Sequence, residues 1–243
     1  MANPWFQFKQ FTIQQDRSAM KVTTDGCLFG AWIAENIKKQ TLQYYHCLDI
    51  GTGTGLLTLM LAQENEIAID AIEIDKDAFE QAVENVTASP WSGRIQVVHA
   101  DAREFESENQ YDVIISNPPF YERELKSDDA KKNIAHHNEG LLFPELLSII
   151  KKLLSPAGTF YLLLPYKRNN EIKALLSEYD LAIQQMTFVR QSVAHDYFRI
   201  MLAGKFKNAG FAETVIDEIA IKNNEDNYSE VFLSLLKKYY LHL

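Results

Sequence analysis

Apolar positions along this 243-residue chain follow two alternating periods. Short apolar runs are typical of buried strands, and apolar residues at i, i+3, i+4 and i+7 are typical of helices. Strands that alternate with helices indicate an α/β fold with a parallel sheet. From residue 46 onwards the pattern predicts strands at 46–50, 67–72, 95–98, 111–116 and 159–164, and helices at 56–63, 77–87, 143–154 and 170–177.

The last part of the chain departs from this alternation. Two strand-like runs at 183–189 and 197–205 have only a short loop between them, which predicts an antiparallel hairpin at the edge of the sheet. A further strand-like run at 213–221 and an amphipathic helix at 229–240 follow. We expect a mostly parallel sheet of seven strands with helices on both faces.

The segment before residue 46 has a separate pattern. Residues 6–8 and 11–13 alternate like a small hairpin, and a helix is predicted from about 26 to 38. We expect a single domain over residues 1–243, in which residues 1–40 form a hairpin and helix extension and residues 41–243 form the core. Residues 121–140 are charged and poor in core positions, which predicts a mobile loop.

Composition places the chain among globular proteins. Apolar residues make up 47% of it, and no stretch approaches the ~18 apolar residues that a membrane helix requires. The N-terminus lacks the features of a secretory signal. Cys27 and Cys47 lie in apolar surroundings, so we expect buried thiols, a reducing cytoplasm and no zinc site.

The net charge of −9 is unevenly distributed. Residues 1–140 hold 12 Lys and Arg against 22 Asp and Glu, whereas residues 141–243 hold 12 against 11. The negative net charge argues against a non-specific nucleic-acid coat protein. We expect any contact with a polyanion to come from the second part of the chain or from local basic clusters.

A glycine-rich loop follows the first core strand, in the sequence Asp49-Ile50-Gly51-Thr52-Gly53-Thr54-Gly55. Glycines there allow positive φ and close approach of the backbone to a ligand. The spacing differs from the G-x-G-x-x-G of dinucleotide sites. Asp49 would repel a pyrophosphate, and it would favour a cationic ligand such as a sulfonium with an α-ammonium group.

Two further acids follow the next two strands. Glu73 can accept hydrogen bonds from both hydroxyls of a ribose, and Asp101, followed by Ala102, can accept from an adenine amino group. Ligands of open α/β sheets bind at the carboxyl ends of the strands. We therefore expect these acids to line one crevice with the glycine loop.

The fourth predicted strand ends in Asn117-Pro118-Pro119-Phe120. Two prolines lack N–H donors and fix φ, so they form a stiff corner with carbonyls outside the ladder. The Asn117 amide oxygen and a proline carbonyl make a pair of acceptors for a flat –NH2 group, and Phe120 can stack on the ring that carries it. In the usual strand order this corner lies beside the glycine loop.

The two motifs together resemble the class I S-adenosylmethionine-dependent methyltransferases that modify exocyclic or amide nitrogens. The resemblance covers residues 46–165 and implies a Rossmann-like fold with S-adenosylmethionine as cofactor. It assigns cofactor binding to Asp49, Gly51, Gly53, Gly55, Glu73, Asp101 and Ala102. It assigns the target nitrogen and its ring to Asn117, Pro118, Pro119 and Phe120.

The N-terminal segment extends the resemblance to nearly the whole chain. Residues 6–11 (FQFKQF), 20–26 (MKVTTDG) and 28–32 (LFGAW) look like those of the bacterial tRNA1(Val) adenine-N6 methyltransferases. This family implies a tRNA partner and methylation at position 37, the adenine just 3′ of the anticodon. By the same resemblance, Lys21, Thr24 and Asp25 are candidates for lining the cofactor pocket.

Substrate contacts are expected around the same crevice. Tyr121 offers a second stacking face, and Lys167 and Arg168 follow the fifth core strand at the same sheet edge, where they can contact phosphates. The family often has Ala-Arg-His-Glu in the loop after the corner, whereas this chain has Ala135-His136-His137-Asn138-Glu139. The change replaces a permanent charge by a largely neutral imidazole.

Other substrates remain open from the motifs alone. Such a corner also serves protein-glutamine N5-methyltransferases, which usually have Tyr in place of Phe120, and rRNA guanine-N2 methyltransferases. A protein that binds S-adenosylmethionine and RNA without catalysis is the non-enzymatic alternative. The intact Asn117 and the intact series of acids argue against that alternative.

Overall fold

The computed structural model describes residues 3–39, 46–118, 140–210 and 213–243. Ten strands and six α-helices lie within these ranges. The strands are β1 (Trp5–Gln7), β2 (Thr12–Gln14), β3 (His46–Ile50), β4 (Ala68–Glu73), β5 (Ile95–His99), β6 (Tyr111–Ser116), β7 (Leu154–Pro165), β8 (Leu181–Ser192), β9 (Tyr197–Phe206) and β10 (Val215–Lys222). The helices are α1 (Thr24–Lys38), α2 (Leu56–Glu64), α3 (Lys76–Thr87), α4 (Phe143–Leu153), α5 (Asn169–Glu178) and α6 (Glu230–Leu236).

The main sheet has the strand order β10-β8-β9-β7-β6-β3-β4-β5. Strands β7, β6, β3, β4 and β5 are parallel, and β9 is antiparallel to both β7 and β8. The expected α/β class and the mostly parallel Rossmann-like sheet are confirmed. The position where the chain order reverses lies at β3 and β6, and ligands of open α/β sheets bind at such positions.

Two details of the predicted sheet are wrong. The sheet has eight strands within the described residues instead of seven, because β10 pairs in parallel with β8. The β8–β9 hairpin is therefore not at the edge, since β9 lies between β7 and β8 and β10 covers the other side of β8. Strand β10 exposes Val215 and Ile216, so its local pattern does not reveal that it joins the sheet.

Buried side chains fill both faces of the sheet. One cluster contains Leu28 and Phe29 of α1 together with Met60 of α2 and Phe232 of α6. The other cluster contains α4 and α5 residues, for example Leu147. The N-terminal hairpin belongs to the first cluster through residues 8, 11 and 13. The extension therefore shares a hydrophobic core with the sheet.

The cysteines are buried as expected, and both are free thiols. Burial raises the pKa of the Cys27 thiol to about 12 and raises that of Cys47 well above its ordinary value. Buried thiols with raised pKa values stay protonated and are inert towards most electrophiles. We therefore assign Cys27 and Cys47 to packing.

Candidate active site

The glycine loop and the Asn-Pro corner leave neighbouring strands at paired positions. Ile50, the last residue of β3, is opposite Ser116, the last residue of β6. The Ser116 hydroxyl donates a hydrogen bond of 2.8 Å to the Ile50 carbonyl. This buried bond holds the two strand ends together, so the loop and the corner leave neighbouring strands at the same edge of the sheet, as the strand order predicted.

The glycine loop has an open surface. Gly51, Gly53 and Gly55 have φ values of +71°, +58° and +82°. A Cβ atom placed on Gly51 or Gly53 would meet nothing within 4 Å. The backbone N–H groups of Gly51 and Thr52 bond to the Ile72 carbonyl at 2.9 and 3.1 Å, which fixes the loop against β4. The loop therefore offers bare backbone to a ligand.

Asp49 lies at the end of β3 under this loop and is fully buried. The hydroxyls of Thr52 and Thr58 each donate to its Oδ2 at 2.7 Å, whereas Oδ1 is buried and has no hydrogen-bond partner among the described residues. Burial raises the pKa of Asp49 to about 6, and the nearby Glu73 charge adds to the shift. A buried carboxylate oxygen without a donor fits a cationic ligand, because it has acceptor capacity to spare.

Glu73 holds the glycine loop from the neighbouring strand. Its Oε2 accepts from Gly53 N at 2.8 Å, and its Oε1 accepts from the backbone N–H groups of Ile74 and Asp75 at 2.9 Å. Only Oε2 keeps an obvious lone pair for a ribose hydroxyl. The carboxylate thus has a structural task that the sequence did not reveal.

Ile74, which follows Glu73, is 58% exposed although it is strongly apolar. It projects at the carboxyl end of β4, next to the predicted ribose acceptor. An exposed apolar side chain at the ligand-binding edge of such a sheet offers a surface for a flat ring. In the sequence, only the position of Ile74 directly after Glu73 points to this residue.

Asp101 is paired with Arg103, a residue that sequence analysis did not single out. The Arg103 Nη2 lies 2.6 Å from Oδ2 of Asp101, and the Arg103 backbone N–H donates to Oδ1 at 2.9 Å. These bonds hold the pKa of Asp101 below its ordinary value. Ala102 is half-buried and packs against the second core cluster.

The structure describes Asn117 and Pro118 of the Asn-Pro corner. The other predicted residues of this region lie outside the described residues: Pro119, Phe120, Tyr121, His136 and His137. Asn117 is half-buried and Pro118 is buried. The Asn117 Nδ2 donates to the thioether of Met20 at 4.0 Å. Sequence reasoning missed Met20, whose only signal was its place in the N-terminal resemblance.

The two cations predicted to contact phosphate differ in exposure. A short 3-10 turn, Tyr166–Arg168, follows β7 and places both at the same sheet edge as the corner. Lys167 is exposed. The Arg168 side chain is only 9% exposed and forms two hydrogen bonds, 2.8 and 2.5 Å long, with the Glu171 carboxylate.

The N-terminal candidates for the pocket have partners inside the protein. The Lys21 ammonium donates to the carbonyls of Gln15 and, at 2.8 Å, Ser18. Asp25 accepts a hydrogen bond of 2.7 Å from Arg199. Burial opposes ionisation of Asp25, but its hydrogen bonds outweigh this effect and lower its pKa. Thr24 is the first residue of α1.

Neither a metal cluster nor a membrane-spanning helix is found in the part of the chain that the structure describes. No group of three or more His, Cys, Asp or Glu is arranged there to hold a metal ion. None of the described helices has the length and apolarity needed to cross a bilayer.

Comparison with known proteins shows which family this chain is similar to. The family model "Methyltransferase small domain" matches residues 30–158. A tRNA1(Val) (adenine(37)-N6)-methyltransferase of Phocaeicola vulgatus is 41% identical over 243 residues, which is the whole of both chains. A protein of the same name from Dyadobacter fermentans is 44% identical and covers 98% of both chains.

Solved structures share the fold at low sequence identity. A predicted O-methyltransferase from Agrobacterium tumefaciens has a TM-score of 0.66 and 15% identity, and the match covers 88% of this chain and 96% of that one. A ribosomal protein L11 methylase from Lactobacillus delbrueckii has a TM-score of 0.55 and 17% identity, with 81% and 84% covered.

The fold, the acidic glycine loop and the Asn-Pro corner define a class I S-adenosylmethionine-dependent methyltransferase. Full-length similarity narrows this class further. The chain belongs to the family of the tRNA1(Val) (adenine(37)-N6)-methyltransferases.

Proposed function

We propose that the protein transfers a methyl group from S-adenosylmethionine to N6 of an adenine in tRNA1(Val), at position 37 beside the anticodon. The observation that carries this proposal is the Ser116–Ile50 hydrogen bond, which keeps the cofactor loop and the Asn117-Pro118 acceptors at adjacent strand ends. The names of the full-length relatives support the choice of nucleotide. No observation favours glutamine or guanine as the target.

The residues of this chain fit the cofactor in three places. Asp49 Oδ1 is a buried acceptor without a partner for the cationic amino acid part. Gly51 and Gly53 leave room above the loop, and Glu73 Oε2 is available to the ribose. When bound, S-adenosylmethionine supplies an electrophilic methyl group on sulfur.

Asn117 and Pro118 prepare the nucleophile. An aromatic amine is a poor nucleophile, because its lone pair is delocalised into the ring. The Asn117 Oδ1 and the Pro118 carbonyl accept its two hydrogens and favour tetrahedral geometry, which directs the lone pair towards the methyl group. A base is not required before transfer, since the amine proton becomes acidic only afterwards. Positioning and electrostatics therefore provide most of the rate.

The target base must leave its stack before it reaches this corner. Phe120 and Tyr121 are proposed to stack on it, and Lys167 is proposed to contact a nearby phosphate.

The shared core of the hairpin and the sheet supports the proposal that residues 1–243 act as one domain. We place the reaction in the cytoplasm, where tRNA is modified.

The test is to incubate the protein with labelled S-adenosylmethionine and total tRNA, with a peptide release factor in a parallel reaction. The Asn117→Ala variant serves as the control for catalysis at the corner. Digestion should yield labelled N6-methyladenosine, and mapping should place it at position 37 of tRNA1(Val). Label in glutamine or in guanosine, or no transfer at all, would overturn the proposal.

A further inference from the structure

Residues 14–22, which we call the connecting segment, run from strand β2 to the start of α1 and are anchored on α3. The buried Gln81 accepts hydrogen bonds from the backbone N–H groups of Arg17 and Ser18, at 3.0 and 3.2 Å. The buried Asn85 accepts from Gln14 N at 2.8 Å. Two buried amides of one helix therefore fix the backbone of the connecting segment.

The turn before Met20 is fixed from within the connecting segment. Lys21 donates to the carbonyls of Gln15 and Ser18, and the Gln15 amide oxygen accepts from Val22 N at 2.7 Å. The Ser18 hydroxyl donates to the Met20 carbonyl at 3.1 Å. The backbone of Met20 is thus held on both sides.

Met20 is 48% exposed, although the Ser18 hydroxyl binds its backbone carbonyl. Its sulfur lies 4.0 Å from Asn117 Nδ2. A thioether can only accept a hydrogen bond, so the –NH2 end of the Asn117 amide faces Met20. The amide oxygen then lies on the other side of the planar group.

The orientation of this amide matters for the reaction. An amide has one accepting and one donating end, and the two ends can exchange by rotation. If the donating end faced the target –NH2 group, two donors would oppose each other and the nucleophile would lose an acceptor. A sulfur atom on one side favours the orientation in which the donating end of the amide faces it.

We propose that Met20 is a positioning residue that sets the orientation of the Asn117 carboxamide, so that Oδ1 faces the target amine. The inference rests on the proposed function, because it assumes that Asn117 accepts from an amine at the corner. The connecting segment thereby takes part in catalysis from the N-terminal side, at a distance of 97 positions along the chain.

The test uses two substitutions of similar length. Met20→Leu keeps most of the apolar volume and removes the acceptor. Met20→Gln supplies a carbonyl oxygen in place of the sulfur. The control is Val231→Ala on α6, because Val231 is 49% exposed and belongs to a helix outside the site. Steady-state kinetics on tRNA and the melting temperature are measured for all three variants.

The leucine variant should lower kcat by about two- to fivefold, the rate equivalent of one weak hydrogen bond, with unchanged KM for tRNA and for the cofactor. The glutamine variant should recover much of the lost kcat, and Val231→Ala should match the wild type. A purely structural role would lower the melting temperature or raise KM in both variants alike. Either that result or a normal kcat for Met20→Leu would overturn the inference.

The result separates this inference from the proposed function. If the wild type transfers no methyl group to tRNA, the proposed function fails, and the inference fails with it. If the wild type methylates adenine and Met20→Leu does so at the same kcat, the function stands and only the role of Met20 is refuted.

Discussion

Arg103 holds both carboxylate oxygens of Asp101. Its Nε lies 2.9 Å from Oδ1 and 3.0 Å from Oδ2, and its Nη2 lies 2.6 Å from Oδ2. The pair follows β5 at the carboxyl edge of the sheet, where an adenine amino group is expected to find its acceptor. An adenine that bonds to Asp101 must therefore share the carboxylate with the guanidinium.

Removal of this competitor should tighten cofactor binding. In Arg103→Ala, we expect S-adenosylhomocysteine to bind about two- to fivefold more tightly, which corresponds to the ~0.5–1 kcal/mol of a partly exposed ion pair. Titration calorimetry measures the change. Arg17→Ala is the control, because Arg17 pairs with glutamates of α3. Weaker binding in Arg103→Ala would show that Arg103 supports the cofactor instead of competing with it.

Glu73→Ala should weaken both the cofactor site and the fold. We expect a loss of about 1.5–3 kcal/mol in binding of S-adenosylhomocysteine, the range for a hydrogen bond to a charged group. The melting temperature should also decrease, since the Gly53, Ile74 and Asp75 amides lose their acceptor. NAD should bind to neither protein. Glu66→Ala, which changes an exposed acid, is the matched control. An affinity for NAD comparable to that for S-adenosylhomocysteine would refute the cofactor assignment.

Asp49 should make the free protein less stable at neutral pH. Its pKa in the folded state is about 6, above its ordinary value of 3.8, so between these two pH values the folded state holds a proton that the unfolded state has released. Its contribution to stability therefore decreases as pH rises from about 4 to 6 and stays constant above.

The neutral variant Asp49→Asn should accordingly unfold less readily than the wild type at pH 8, by on the order of 2–3 kcal/mol, and this advantage should vanish near pH 4. The same variant should bind S-adenosylmethionine more weakly, because the cation loses its counter-charge. Urea titrations at both pH values give the comparison. A wild type more stable than the variant at pH 8 contradicts the prediction.

Asn117→Ala should separate catalysis from stability. Asn117 is half-buried, and the described structure gives its side chain only the weak Met20 contact, so the melting temperature and the cofactor affinity should remain nearly unchanged. Turnover should fall roughly 100- to 1000-fold, as when one preorganised partner of a transition state is removed. Single-turnover kinetics with saturating tRNA measure the loss, and near-normal turnover would refute the acceptor role.

The two cations after β7 should have different roles. Lys167→Ala should weaken binding of tRNA and leave S-adenosylmethionine binding intact. Arg168→Ala should mainly lower the melting temperature, because it breaks the ion pair that the nearly buried Arg168 guanidinium makes with Glu171. Lys152→Ala, at the far end of α4, is the control for general charge. Binding of tRNA to the wild type should weaken only moderately as the salt concentration rises, since few phosphates are neutralised. A steep salt dependence would show that a broader electrostatic surface contacts the tRNA.

The sequence predicted those parts of the molecule that depend on local pattern. The alternation of strands and helices and the glycine spacing suffice to place Ile50 and Ser116 at adjacent strand ends. The Arg103–Asp101 pair was not foreseen, since a basic residue two positions from an acid is common on solvated surfaces. The Met20–Asn117 contact has no local signal, because only the folded chain brings these residues together.

The side chain of Asn85 joins two parts of the chain that the sequence presents as separate. Its Nδ2 donates at 2.9 Å to the Gln14 carbonyl and also to the Thr54 carbonyl of the glycine loop. A truncated chain that starts after Val22 would lose the Gln14 partners of Asn85 and the Asp16, Arg17 and Ser18 partners of Gln81, and it would expose both side chains to water. The N-terminal segment is therefore not a removable tail, and limited proteolysis within it should inactivate the enzyme by loosening the loop that carries the cofactor.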